Sequence, residues 1–175
     1  MSGNRSFKLI SIAIIVAAIL FAGILSGCAD EVGTEPDGGD DIDRAAAGDT
    51  LFTYVNCPEN GAIAVRIQIP DSARYPEGAP IMVNSSGWFA GNYNFNLGWD
   101  FTEVGFIWVN MIWPGKTDQS SGVSSQGIYD YAGPSCIAAF RDVIRFSCGL
   151  APDTAGHYID ELIEMNALTD NVGLH

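Results

Sequence analysis

The run Val104 to Ile112 (VGFIWVNMI) carries one polar side chain in nine residues, and it constrains this chain more than any other segment. A strand open to water on one face alternates apolar with polar. A strand covered on both faces, as in parallel sheets, reads as a near-continuous apolar run. The segment therefore predicts a central strand with chain packed above and below it. A shorter run, Ile81-Met82-Val83, predicts a second strand of the same kind. Upstream, Leu51 to Asn56 is rich in aromatic and β-branched residues, and Ala62 to Ile69 alternates apolar with polar. Pro58-Glu59-Asn60-Gly61 lies between them, and its Asn-Gly pair favours a tight hairpin turn. Two antiparallel strands are expected there.

After Gly115 the period changes. Gly115 to Gly133 reads as a long loop. Ser135 then stands as the cap of a helix with Cys136, Ala139, Phe140, Val143 and Ser147 on its inner face. Arg141, Asp142 and Arg145 fall on the outer one. Gly149 ends it, with Pro152 just beyond. A second helix is expected from Asp153 or Thr154, turning Ile159, Leu162 and Ile163 inward and Asp160, Glu161 and Glu164 outward. Asn171 to Leu174 reads as the start of another strand. The fold class is α/β: an antiparallel hairpin, then parallel strands with helices.

The first thirty residues point to export. Arg5 and Lys8 precede an uncharged run from Leu9 to Leu25, and small residues follow, as in a signal peptide. Leu25-Ser26-Gly27-Cys28 resembles the lipobox of bacterial and some archaeal lipoproteins. The resemblance implies cleavage after residue 27, a lipid on Cys28, and anchoring to the outer face of an envelope membrane. Removing residues 1–27 takes away Arg5 and Lys8 and keeps all 21 acids, so the net charge moves from -13 to -15. Such a balance repels phosphate backbones and excludes nucleic acid as a partner. Residues 28–49 hold eight acids and almost no large apolar side chain, a composition expected of an acidic flexible tether. Asp37, Asp40, Asp41 and Asp43 lack calcium-loop spacing. The folded domain is expected over residues 50–175.

From the hairpin onward the pattern resembles the α/β-hydrolase family. The resemblance rests on Ile81-Met82-Val83 followed by Ser86-Gly87-Trp88, on Val104 to Ile112 ending in Trp113-Pro114-Gly115, and on Phe140 to Phe146 preceding Val172-Gly173-Leu174. The family's strand commonly ends in His-Gly-x, and the last N–H serves the oxyanion hole. Here serine replaces the histidine, the glycine is kept, and Gly87 with the Trp88 N–H is the implied oxyanion element. The implied activity is acyl transfer on an ester or peptide, with no metal or cofactor. The nucleophile elbow Gly-x-Ser-x-Gly is absent; Gly122-Val123-Ser124-Ser125-Gln126-Gly127 has its second glycine one place late and no strand before the serine. The family's elbow would follow Val172 to Leu174, so the resemblance implies a partial hydrolase-like sheet, truncated before its nucleophile and inactive alone.

Other constellations are weaker. Cys57, Cys136 and Cys148 lack paired metal-ligand spacing. Cys136 and Cys148 would stand about 18 Å apart on a helix, so any bridge would involve Cys57 and one of them. His157 reads as a solvated or capping residue. Of the four tryptophans, Trp108 and Trp113 read as core, while Trp88 and Trp99 are substrate-pocket candidates. The alternative function is a non-enzymatic surface lipoprotein acting as a binding or adhesion module.

Overall fold

The computed structural model describes residues 42–85, 93–96 and 99–175. Cys28, Gly87 and Trp88 lie outside the described residues. Five strands form one mixed sheet: β1 (Thr50–Cys57), β2 (Gly61–Gln68), β3 (Ala79–Ser85), β4 (Ile107–Met111) and β5 (Ala167–Leu174). Their order across the sheet is β1-β2-β4-β3-β5. β1 and β2 are the expected antiparallel hairpin, and β2 also runs antiparallel to β4. β3 is parallel to both β4 and β5. No helix among the described residues is long and apolar enough to cross a membrane.

The hairpin turn differs from the expected Asn-Gly turn. The Asn60 N–H donates to the Cys57 carbonyl at 3.0 Å, and Gly61 alone takes a left-handed φ of +84°. That is the longer loop in which glycine supplies the left-handed residue after the turn.

Register assigns the two faces. Ile67, Val109 and Val83 lie in line on one face, and Arg66, Asn110 and Asn84 on the other. The first face carries the main core, where Ile63, Val65, Ile67, Val83, Val109 and Met111 meet Ala139, Val143 and Phe146 of α1 (Pro134–Ser147). Each such fully buried side chain contributes about 1.5–3 kcal/mol. The second face is roofed by residues 95–96 and by a 3₁₀ turn over Phe101–Val104. The Phe95 ring stands 5.6 Å from Phe52, and Phe101 stands 6.2 Å from Trp108. All five residues of β4 are buried, which accounts for the apolar run. The strand is shorter than expected because Val104 closes the 3₁₀ turn and Gly105 caps it at φ +82°.

Helix α1 begins two residues earlier than a Ser135 cap would place it. Gly133 is the N-cap and Pro134 the first residue, and the cap's work is done from upstream. The Asp130 carboxylate accepts from the Ser135 N–H at 2.7 Å and the Cys136 N–H at 3.1 Å. At the other end, Leu150 N–H reaches the Arg145 carbonyl and Gly149 N–H the Phe146 carbonyl, both at 2.9 Å, a Schellman closure. Asp142, expected outside, is buried, because Arg141 folds back on it at 2.9 and 3.0 Å.

The second helix, α2, is one turn, Ile159–Leu162. It starts late because Asp153 is engaged elsewhere: its carboxylate accepts from Thr53 Oγ1, Ala155 N–H and His157 N–H. Ile159, Leu162 and Ile163 are nonetheless buried, and Asp160, Glu161 and Glu164 exposed. Part of the acidic stretch assigned to the tether also joins the domain. Ala45 bridges Ile163, and Arg44 Nη2 donates to the carbonyls of Asp160 and Ile163. Short side chains at Ala45 and Ala46 leave the backbone free to pair, which composition alone does not register.

Candidate functional site at the carboxyl edge of the sheet

The parallel strands β3, β4 and β5 end together at Ser85, Met111 and Leu174. From β4 the chain passes through loop 112–133 to α1 on the first face. Between β3 and β4, Phe95 and Phe101 lie on the second face, while Tyr93 packs against the main core. In α/β sheets ligands bind outside the carboxyl ends of the strands.

The floor of this edge is polar and buried. Asn84 Nδ2 donates to Asn110 Oδ1 at 3.0 Å. Beside Asn110 in register stands Arg66, 7% exposed. Its Nη1 donates to Asn96 Oδ1 at 2.5 Å and its Nη2 to the Phe95 carbonyl at 2.6 Å. The guanidinium lies between the rings of Phe95 and Trp108, 5.3 and 5.6 Å from their centroids. Burial pulls the Arg66 pKa down, opposed by the charges of Asp118 and Asp100. Among the described residues, Arg66 Nε, Asn110 Nδ2 and Trp108 Nε1 are buried and meet no hydrogen-bond partner.

Asp118, in the loop after β4, is fully buried. Its carboxylate accepts from Phe95 N–H at 2.9 Å, Ser120 Oγ at 2.6 Å, Ser121 N–H at 2.6 Å and Ser121 Oγ at 2.5 Å. Burial would raise its pKa, but these donors outweigh burial and hold it below the ordinary value. Arg66 and Asp118 thus fasten residues 95–96 over the sheet from two sides.

An aromatic cluster stands on the same loop. Tyr129 packs against Tyr93, Trp113 and Tyr131, with centroids 5.6, 6.4 and 5.0 Å away. The Lys116 ammonium lies 4.7 and 4.6 Å from the Tyr93 and Tyr129 rings. Burial, then the neighbouring Tyr93, raises the Tyr129 pKa.

Several residues singled out from sequence take structural positions. Ser125 of the elbow-like stretch is buried; its Oγ accepts from Ala64 N–H at 2.9 Å and donates to the Ile112 carbonyl at 2.7 Å. Ser124 Oγ meets Thr117 Oγ1. His157 folds into the Asp153 loop. The His175 N–H continues the ladder to the Val83 carbonyl at 3.0 Å, and its ring stacks on Phe101. Trp108 and Trp113 are core, as read. Trp99 is 78% exposed. Cys57, Cys136 and Cys148 are free thiols, and the Cys57 bridge allowed by the spacing does not form.

Two other places were weighed. Among the described residues, Cys57, Glu59 and Asp142 are the one group at metal-binding separation. Arg141 already sits on both carboxylates, at 3.4 and 2.9 Å. At the amino edge of the parallel strands, a cavity of about 660 Å³ is lined by Gln68, Asp71, Arg74, Asp100 and Glu103 among others.

Arg66, Asp118 and the Tyr129–Tyr131 pair escaped the sequence reading. A lone arginine inside AIAVRIQI and two tyrosines flanking an aspartate before Gly-Pro were the available signals. No protein-family model matches this sequence, and no curated protein matches it.

Proposed function

We propose that residues 42–175 are the N-terminal part of the catalytic domain of an exported, lipid-anchored serine hydrolase acting on an ester or peptide. The observation that carries this reading is the sheet: an antiparallel hairpin, then parallel β3, β4 and β5. In an α/β-hydrolase-like arrangement the segment after β3 supplies one oxyanion donor, and the nucleophile stands on the elbow of a later strand. Here that donor is the Trp88 N–H, with Gly87 allowing the turn. No Gly-x-Ser-x-Gly elbow occurs in this sequence. The membrane is met through a lipid on Cys28.

The test is ester hydrolysis. The chain from Cys28 to His175 is expected to leave p-nitrophenyl acetate intact, and a protein carrying a Gly-x-Ser-x-Gly elbow after β5 is expected to cleave it. Serine-dependent turnover by this chain alone overturns the reading. Anchoring has its own readout: Cys28→Ser is expected to lose palmitate labelling and leave the membrane.

A second reading, a non-enzymatic surface binding module, is favoured by the exposed ring of Tyr131. Under it the chain unfolds cooperatively as a monomer. A hydrolase part with an open β5 edge aggregates or melts without cooperativity.

A further inference from the structure

Residues 130–133 form a tight turn before α1, closed by the Gly133 N–H on the Asp130 carbonyl at 3.1 Å. Tyr131 and Ala132 hold φ of +55° and +66°, successive non-glycine residues in the left-handed region. Side chains adopt that region at a cost, and such strain persists where the surroundings over-determine it. Tyr131 is also 85% exposed, so its ring recovers little through burial.

The ring is nevertheless held. It leans on Tyr129 at 5.0 Å and 56°. Tyr129 is itself fixed from beneath by Tyr93 and Trp113 and from the side by the Lys116 ammonium. The backbone beyond is pinned as well: Gly133 N–H donates to the Asp130 carbonyl at 3.1 Å, and the Asp130 carboxylate holds the start of α1. An outer ring thus stands on an aromatic base in the loop that follows β4.

A flat partner for such a ring is a nucleobase or a sugar. Nucleic acid is disfavoured by the chain's net charge of -13, which repels phosphates, and acidic glycans meet the same repulsion. A neutral sugar ring turns one C–H face to an aromatic ring and its hydroxyls to water, so it needs no enclosing pocket. We propose that Tyr131, backed by Tyr129, is a stacking platform for a neutral sugar ring of an oligosaccharide. The proposal goes beyond the hydrolase reading and stands or falls without turnover.

The experiment is calorimetric titration of the protein with cellohexaose, chitohexaose and maltohexaose, none of which carries charge. At least one is expected to bind saturably. Tyr131→Gly is expected to weaken it by about tenfold or more, and Tyr131→Phe to stay within about threefold of the parent. Because glycine tolerates the left-handed region, Tyr131→Gly is also expected to keep or raise Tm. Absence of binding to all three, parent-like binding by Tyr131→Gly, or a lowered Tm in that variant overturns the proposal.

Discussion

Removing the Asp118 carboxylate tests the reasoning about the second face most directly. In Asp118→Ala the backbone N–H groups of Phe95 and Ser121 lose their acceptor, and so do the hydroxyls of Ser120 and Ser121. The hydroxyls can rotate to other partners. The two amides cannot, and a buried donor left unsatisfied costs about 1–3 kcal/mol. Arg66, which is buried, loses the charge that most supports it. Together these give a loss of about 3–5 kcal/mol, a large part of the roughly 5–15 kcal/mol that holds a domain folded. Urea unfolding followed by tryptophan fluorescence measures it. The pH dependence supplies a second check. The folded carboxyl titrates below its ordinary value of 3.8, so its contribution is complete above that value and fades as pH falls through the folded pKa. The stability gap between the parent and Asp118→Asn is therefore expected to narrow from about pH 5 to about pH 2. A loss below about 1 kcal/mol in Asp118→Ala, or a gap that stays constant with pH, refutes the account.

Two further changes probe the fold. Ser125→Ala leaves Ala64 N–H and the Ile112 carbonyl without their shared hydroxyl, and is expected to lower stability by about 1–3 kcal/mol. Neither the parent nor this variant is expected to be labelled by a serine-reactive fluorophosphonate, and labelling of the parent that the variant loses would make Ser125 a nucleophile. Phe146→Ala empties a fully buried site between α1 and the sheet, with an expected cost of about 3–5 kcal/mol by chemical denaturation.

Much of the architecture was legible because burial writes itself into local pattern. The apolar run around Trp108 announced a strand covered on both faces, and the hairpin announced itself by alternation around Asn60-Gly61. The buried faces of α1 and α2 followed from helical period. The misreadings have a shared cause: a polar side chain's partner is not visible along the chain. Ser135 has the right type for a cap, yet Asp130 reaches the amides first. Asp153 has the right type to start a helix, yet Thr53, a hundred residues earlier, draws it into a loop. Asp142 sits on a polar stripe, yet Arg141 and the hairpin turn enclose it.

The same division separates what the residues alone determined from what the tertiary structure decided. Periodicity and composition determined the mixed α/β class, the central strand and the acidic character, because each depends on side chains summed over neighbours in sequence. Which charges are buried, which serine is structural and which tyrosine is left in solvent were decided only by the sheet. Its register sets Arg66 beside Asn110, and the connection leaving β4 carries Asp118 and Tyr131.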